Sequence, residues 1–331
     1  MKYRRLGHTE LLVSEIGFGV WTVSTGGWGE KTDEEAVSLL RRALDRGITF
    51  FDTADTYGAG RGETLLAKAF GKEKRNIVIA TKFGYDFYHG KRDGQKEFPQ
   101  NFSETFIRFA LEESLKRLHR DTIDLYQIHN ARMDAIDNDA LFELLERLKE
   151  EGKIRAYGVA LGPAIGWKEE GLCVMQKRSI HSLQIIYNLL EQDPGRDFLP
   201  VARETHTGIL VRVPHSSGLL EGKYTEKTTF PETDHRSHRK REWLIGGLKK
   251  LEKLKFLTEG KTMTIGQAAL KYILAEPTIA SCLPNIYETA QLDEFTAVSE
   301  CPDLMEEEII RVNELYNHNF YLEKETIEKG N

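Results

Sequence analysis

Residues 48–70, ITFFDTADTYGAGRGETLLAKAF, read as a strand, a polar loop and a helix. The apolar run Ile48, Phe50, Phe51 has the pattern of a strand buried on both faces, and it turns abruptly into Asp52, Thr53, Asp55 and Tyr57, with Gly58, Gly60 and Gly62. Charge at the end of a buried strand needs a reason. The helix expected from near Glu63 supplies the return crossover, so Asp52 and Tyr57 share one strand-to-helix loop, where parallel α/β proteins carry their chemistry. Taken singly, Asp52 reads as a turn cap and Tyr57 as a half-buried aromatic with a wet hydroxyl. Chain flexibility accounts for the three glycines better than a phosphate cradle does. A catalytic reading therefore depends on partners arriving from other loops.

The same unit recurs along the chain. Residues 3–19 read as a hairpin turning at Gly7 and His8, then an apolar strand at 16–19 from which Trp21 emerges. A glycine-rich loop at 24–29 leads to Thr32 and Glu35, spaced as a capping box, and to a helix carrying Ala36, Leu39, Leu40, Ala43 and Leu44. After the strand at 48–51, buried strands are expected at 77–81, 123–128, 156–159, 183–186, 209–211 and 279–283. Helical patterns lie between them: from Ser103 through Leu118, over Leu141 to Leu148, and near 166–177, 197–206 and 265–275, with an extra one near 242–256. Further helices are expected at 289–299 and 305–316, and a polar, aromatic insertion at 85–100. Eight such units in about 300 residues predict an α/β (β/α)8 TIM barrel, one domain over residues 1–331, with an N-terminal hairpin, loop insertions and an extra C-terminal helix. A doubly wound sheet is the competing fold. It is set aside because the first turn, Gly17, Gly19, Thr22, lacks the third glycine of a dinucleotide fingerprint.

Composition narrows the partners. With 331 residues, 40% hydrophobic, 30% charged and a net charge of -6, the chain has a globular composition and no broad basic face for nucleic acid. A small-molecule partner is expected. Cys173, Cys282 and Cys301 have no metal-ligand spacing, so no metal is assigned and a reducing compartment fits. Without an 18-residue apolar run or a signal-peptide pattern at the N-terminus, a cytoplasmic protein with no membrane partner is expected.

The residues closing the strands are Trp21, Asp52, Lys82, His129, Ala160, Gln184, Arg212 and Pro284, and a barrel gathers these at its C-terminal mouth. Alone, Lys82 would be a snorkelling side chain and His129 a satisfied core histidine. Together with Asp52 and Tyr57 they read as an acid-base set. A tyrosine hydroxyl is a poor acid near neutrality unless a cation favours the phenolate, and Lys82 supplies one. Asp52 would hold that ammonium, and His129 could hydrogen-bond a carbonyl oxygen beside Tyr57. Such a site handles a proton while a hydride moves, and side chains cannot donate hydride, so a nicotinamide cofactor is implied.

These segments resemble the aldo-keto reductases, (β/α)8 oxidoreductases that use NAD(P)H without a doubly wound domain. The resemblance rests on IGFGVW from Ile16, FFDTADTYGAGRGE from Phe50, TKFGYD from Thr81, LEESLKRLHRDTIDLYQIHN from Leu111, GKIRAYGV from Gly152, QIIYNLLE from Gln184 and GLLEGKY from Gly218. It implies that Tyr57 is the general acid, that Lys82 and Asp52 tune it, and that His129 orients the carbonyl. It also implies cofactor contacts from Gln184, Arg212, Gly218, Leu219, Lys223, Asn285, Glu288 and Gln291, of which Gln184 would meet the nicotinamide carboxamide. Trp21, Trp28, Tyr85 and His129 are expected to line the substrate pocket, which suits sugar or aryl aldehydes.

Three departures stand out. The Ser-Asn pair usual after the fifth strand is replaced by Ala160 and Leu161, which weakens the carboxamide clamp. The aromatic usual after the seventh strand is replaced by Arg212, whose guanidinium can also stack but puts a positive charge beside the ring. Most of the family grips the 2′-phosphate of NADP(H) with basic residues after the strand-eight proline, whereas residues 284–291 here read PNIYETAQ, without a cation. NADP(H) follows from the resemblance, yet this stretch favours NAD(H), whose ribose hydroxyl could donate to Glu288 or Asn285. The run HRSHRKR at 235–241 reads as a solvated helix start and receives no role, although the His235/His238 spacing permits a metal. The competing function is a cofactor-sensing regulatory subunit on the same scaffold.

Overall fold

The computed structural model describes residues 1–71, 73, 77–90, 97–162 and 167–322. The expected start of a helix at 166 and part of the 85–100 insertion lie outside the described residues. A short antiparallel hairpin, β1 (Tyr3–Arg5) and β2 (Leu12–Ser14), precedes the barrel. The barrel strands are β3 (Phe18–Gly19), β4 (Phe50–Asp52), β5 (Val78–Phe83), β6 (Ile123–His129), β7 (Ile154–Ala160), β8 (Ser182–Ile186), β9 (Gly208–Arg212) and β10 (Ile279–Leu283). They pair in parallel in the order β10-β9-β8-β7-β6-β5-β4-β3. Closure comes from the chain just before β3: Ile16 bridges Cys282, with Gly17 N donating to Cys282 O and Cys282 N to Glu15 O, both at 2.8 Å.

The α-helices are α1 (Trp21–Ser24), α2 (Asp33–Asp45), α3 (Arg61–Phe70), α4 (Glu104–Leu118), α5 (Met133–Ile136), α6 (Asp139–Glu150), α7 (Lys168–Lys177), α8 (Gly195–Thr205), α9 (Arg241–Lys253), α10 (Ile265–Leu274), α11 (Thr289–Thr296) and α12 (Glu306–Asn317). The capping box on α2 forms as its spacing predicts, with Glu35 N donating to Thr32 Oγ1 and Thr32 N to Glu35 Oε2. Barrel packing follows from strand alternation. Phe50, Val78, Ala80, Leu125, Ala156, Leu210, Ala280 and Leu283 fill the interior together with Leu6, Leu11 and Val13 of the hairpin, which therefore plugs one end. The other strand face packs against the helices in a second, larger apolar cluster.

Several boundaries move. Lys82 and His129 lie within β5 and β6 rather than beyond them, because the parallel ladder continues through both residues. The first barrel strand shortens to two residues, since Ile16 is drawn across to β10. The glycines after Tyr57 are required by close approach rather than by flexibility. Gly58 has φ +60 and a Cβ there would sit 2.5 Å from Ser24 O, while one on Gly62 would sit 2.4 Å from Thr53 Oγ1.

Candidate active site

The strand ends deliver the expected groups to one place. Lys82 and Asp52 are 1% and 4% exposed, and Lys82 Nζ donates to Asp52 Oδ1 at 2.5 Å and to Thr53 O at 2.8 Å. The second carboxylate oxygen of Asp52 accepts from Gln127 Nε2 and Gln184 Nε2, each at 2.9 Å. A buried ion pair persists only when its remaining lone pairs and protons are satisfied, and these two amides supply what the pair needs. Burial disfavours the Lys82 ammonium, but Asp52 and then Tyr57 outweigh it and hold the pKa above the ordinary lysine value. The lysine stays charged. Its Nζ lies 5.1 Å from the centroid of the Tyr57 ring.

Tyr57 meets His129 edge to face, with centroids 5.9 Å apart. Burial, then the Lys82 and Arg212 cations, draw His129 well below the usual histidine range, so its ring is neutral near pH 7. Its Nδ1 is buried without a hydrogen-bond partner among the described residues. The other face of His129 is held by the insertion: the Tyr85 ring packs edge-on at 5.1 Å, and Gln100 Nε2 donates to His129 O at 2.8 Å. The Tyr85 hydroxyl is itself taken, donating to Glu97 and accepting from Asn130 Nδ2. Tyr85 thus reaches the site through its ring.

Arg212, at the end of β9, donates from Nη2 to Leu161 O at 2.9 Å, while its buried Nε has no partner among the described residues. Burial lowers its pKa against the opposing pull of Tyr57 and Asp52, which places its charge beside both. The backbone after Ala160 is therefore tied to the guanidinium where a Ser-Asn pair was missing from the sequence. Gln184 points into Asp52, so its amide nitrogen supports the ion pair.

At the outer rim, His235, Ser237, His238, Lys240 and Arg241 of the run 235–241 are exposed as the sequence suggests, while Arg236 and Arg239 are half-buried. That run forms a 3-10 turn, His235–His238, lying on the first loop: His235 N donates to Gly27 O at 2.7 Å, and its ring meets Trp21 edge-on at 5.1 Å. Arg236 lies 4.0 Å over the Trp28 ring and is forked onto Asp234, while Arg239 Nη2 donates to Ser217 Oγ at 3.0 Å. Cation stacking on tryptophan, with the ion pair, keeps the Arg236 side chain largely out of water. His238 Nδ1 bonds to the His235 carbonyl, which occupies that nitrogen. Gly218, at φ +91, starts the 3-10 turn Leu219–Glu221 and Leu219 is buried, while Lys223 is half-exposed beside Glu221. After β10, Asn285 is half-buried, Glu288 stands exposed as the N-cap of α11, and Gln291 is buried in its first turn.

Three groups used here were not singled out in the sequence. Gln127 sits two residues before His129 in β6, so strand alternation puts both on one face; a buried amide in an apolar run was the available signal. Arg236 belonged to the basic run that received no role, its stacking partner Trp28 being on another loop, and Glu221 carried no signal of its own because Gln291 also comes from another loop.

Behind Tyr57, Asp55 is fully buried and both its carboxyl oxygens lack partners among the described residues. Burial, then the Glu63 carboxylate, push its pKa well above the usual carboxylate range. The folded chain thus binds a proton there that the unfolded chain releases above about pH 4, so this residue's contribution to stability falls as pH rises through that window. Asp55→Asn is expected to unfold at a higher temperature than the unsubstituted protein at pH 7, with the gap closing toward pH 4. Thermal melts across pH 4 to 8 check this; a gap independent of pH would show that Asp55 stays ionised.

The fold and these groups define a (β/α)8 barrel that gathers a buried ion pair, a tyrosine and a neutral histidine at the C-terminal ends of its strands. The sequence model of the Aldo/keto reductase family matches residues 15–317. The chain belongs to that family, a family of oxidoreductases. It is 31% identical over 312 residues to the uncharacterized oxidoreductase YqkF of Bacillus subtilis, covering 93% of this chain and 94% of that one. It is 28% identical to the aldo-keto reductase yakc [NADP(+)] of Schizosaccharomyces pombe, covering 88% and 84%. Among solved structures, the glycerol dehydrogenase AKR11B4 from Gluconobacter oxydans superposes with a TM-score of 0.81 at 28% identity, over 98% of each chain. No helix among the described residues is long and apolar enough to cross a membrane.

Proposed function

We propose that this protein reduces an aldehyde or ketone with a nicotinamide cofactor, or oxidises the matching alcohol, with Tyr57 as the general acid or base. The observation that carries this is the buried Lys82–Asp52 pair, because it fixes a cation 5.1 Å from the centre of the Tyr57 ring. A relative named for NADP(+) and a structural neighbour named as a glycerol dehydrogenase belong to the same chemistry.

Arg212 Nε and Glu221 Oε1, buried and unpartnered, are the kind of groups that a polar cofactor completes. Gln184, Arg212, Gly218, Leu219, Lys223, Asn285, Glu288 and Gln291 would hold it. When bound, the reduced cofactor supplies the hydride to the carbonyl carbon. Tyr57 gives its proton to the oxygen as negative charge builds there, and the Lys82 ammonium stabilises the phenolate left behind. Neutral His129 can donate a ring N–H to the same oxygen without competing as the acid. Trp21, Trp28 and the Tyr85 ring wall the substrate side. In the reverse direction the same groups take the proton from an alcohol.

The experiment is loss of 340 nm absorbance on mixing protein and reduced cofactor with a panel of aldehydes. Turnover of at least one is expected. Tight cofactor binding with no turnover across the panel would favour the cofactor-sensing alternative.

A further inference from the structure

The acid-base site makes no use of Glu221, yet the fold holds its carboxylate in a fixed place. Glu221 ends the 3-10 turn after β9, and Gln291 lies in the first turn of α11 after β10, so they meet across the loops following the seventh and eighth barrel strands. The Glu221 side chain is 7% exposed. Its Oε2 accepts from Gln291 Nε2 at 2.9 Å and has Lys223 Nζ at 3.8 Å, while Oε1 is buried with no partner among the described residues. A buried carboxylate oxygen lacking a donor is costly, which marks a place where a ligand's donor would be stabilising.

Barrels of this kind often bind phosphate at this location, between the loops after strands seven and eight. The charge here opposes that. Glu294 acts on Glu221 from α11, and Glu288 caps the same helix. Arg236 also acts on Glu221, but its fork is closed on Asp234 at 2.6 and 2.8 Å, which leaves Lys223, of the two cations acting on Glu221 among the described residues, with an open side. A phosphate would meet more carboxylate than free cation, whereas a hydroxyl would satisfy Oε1 and add no charge.

We propose that Glu221 Oε1 accepts a hydrogen bond from a hydroxyl of the cofactor's adenosine ribose and thereby favours NAD(H) over its 2′-phosphorylated form. The proposal rests on the nicotinamide reading above. It moves the ribose acceptor from Glu288, which stands exposed, to a side chain already buried and held by Gln291.

The test is binding rather than turnover: dissociation constants for NADH and NADPH from quenching of intrinsic tryptophan fluorescence, in the unsubstituted protein and in Glu221→Gln. NADH is expected to bind at least as tightly as NADPH. Losing a charge-assisted bond should weaken NADH about tenfold while NADPH changes little or improves. Tighter NADPH binding in the unsubstituted protein, or an equal loss of both cofactors in Glu221→Gln, would overturn the role of Glu221 and leave the nicotinamide reading standing. Quenching by neither cofactor would instead remove that reading.

Discussion

Tyr57→Phe is expected to lower carbonyl reduction by about 10² to 10⁴, the range for loss of a general acid, with cofactor binding nearly unchanged. The substitution removes one oxygen and leaves its surroundings in place. A phenylalanine ring keeps the edge-to-face contact with His129, and the Lys82–Asp52–Gln127–Gln184 cluster does not depend on the hydroxyl. Steady-state rates with an unactivated aldehyde, alongside the cofactor dissociation constant, check both halves. Near-normal turnover would mean that the proton comes from elsewhere.

The second large effect is on stability as well as rate. Lys82→Met strands the Asp52 carboxylate in a site that is 4% exposed, leaving Gln127 and Gln184 as its donors. Breaking one side of a buried ion pair costs about 3 to 5 kcal/mol, so the variant should unfold well below the unsubstituted protein. Adding Asp52→Asn should recover part of that loss, because the orphaned charge disappears. In protein that remains folded, carbonyl reduction should also slow, since the phenolate left by proton transfer keeps the Arg212 charge but loses that of Lys82. Denaturant midpoints for the two variants and steady-state rates with one aldehyde measure this. A midpoint and a rate both unchanged would contradict the pairing of Lys82 with Asp52 and Tyr57.

How far the sequence could be read differs between the barrel and its mouth. The alternation of apolar strands with amphipathic helices needs only local periodicity, and all eight barrel strands lie where that periodicity put them. Asp52, Lys82 and His129 were legible because each interrupts an apolar run at its C-terminal end. Gln127 breaks its run one strand repeat earlier, inside β6, and its role shows only when Asp52 arrives from β4. The rim was less legible. Arg236 looked solvated as part of a basic run, but Trp28 and Asp234 draw it out of water, and Trp28 comes from the far end of the chain. Glu221 was hidden for the same reason, since its partner Gln291 sits on the next barrel loop. Side-chain partners of that kind follow from how loops meet, which local patterns do not encode.

In the proposed reaction a hydride reaches a carbonyl carbon at this site while the chain supplies the proton. The most direct measurement follows the atoms: incubate the protein with an aldehyde and reduced cofactor carrying deuterium at the transferable C4 position, in ordinary water, and analyse the alcohol by mass spectrometry. One deuterium is expected, bonded to the carbinol carbon, with an exchangeable hydroxyl proton from solvent. Reduction without deuterium at that carbon, or no alcohol from any aldehyde tried despite bound cofactor, would contradict it.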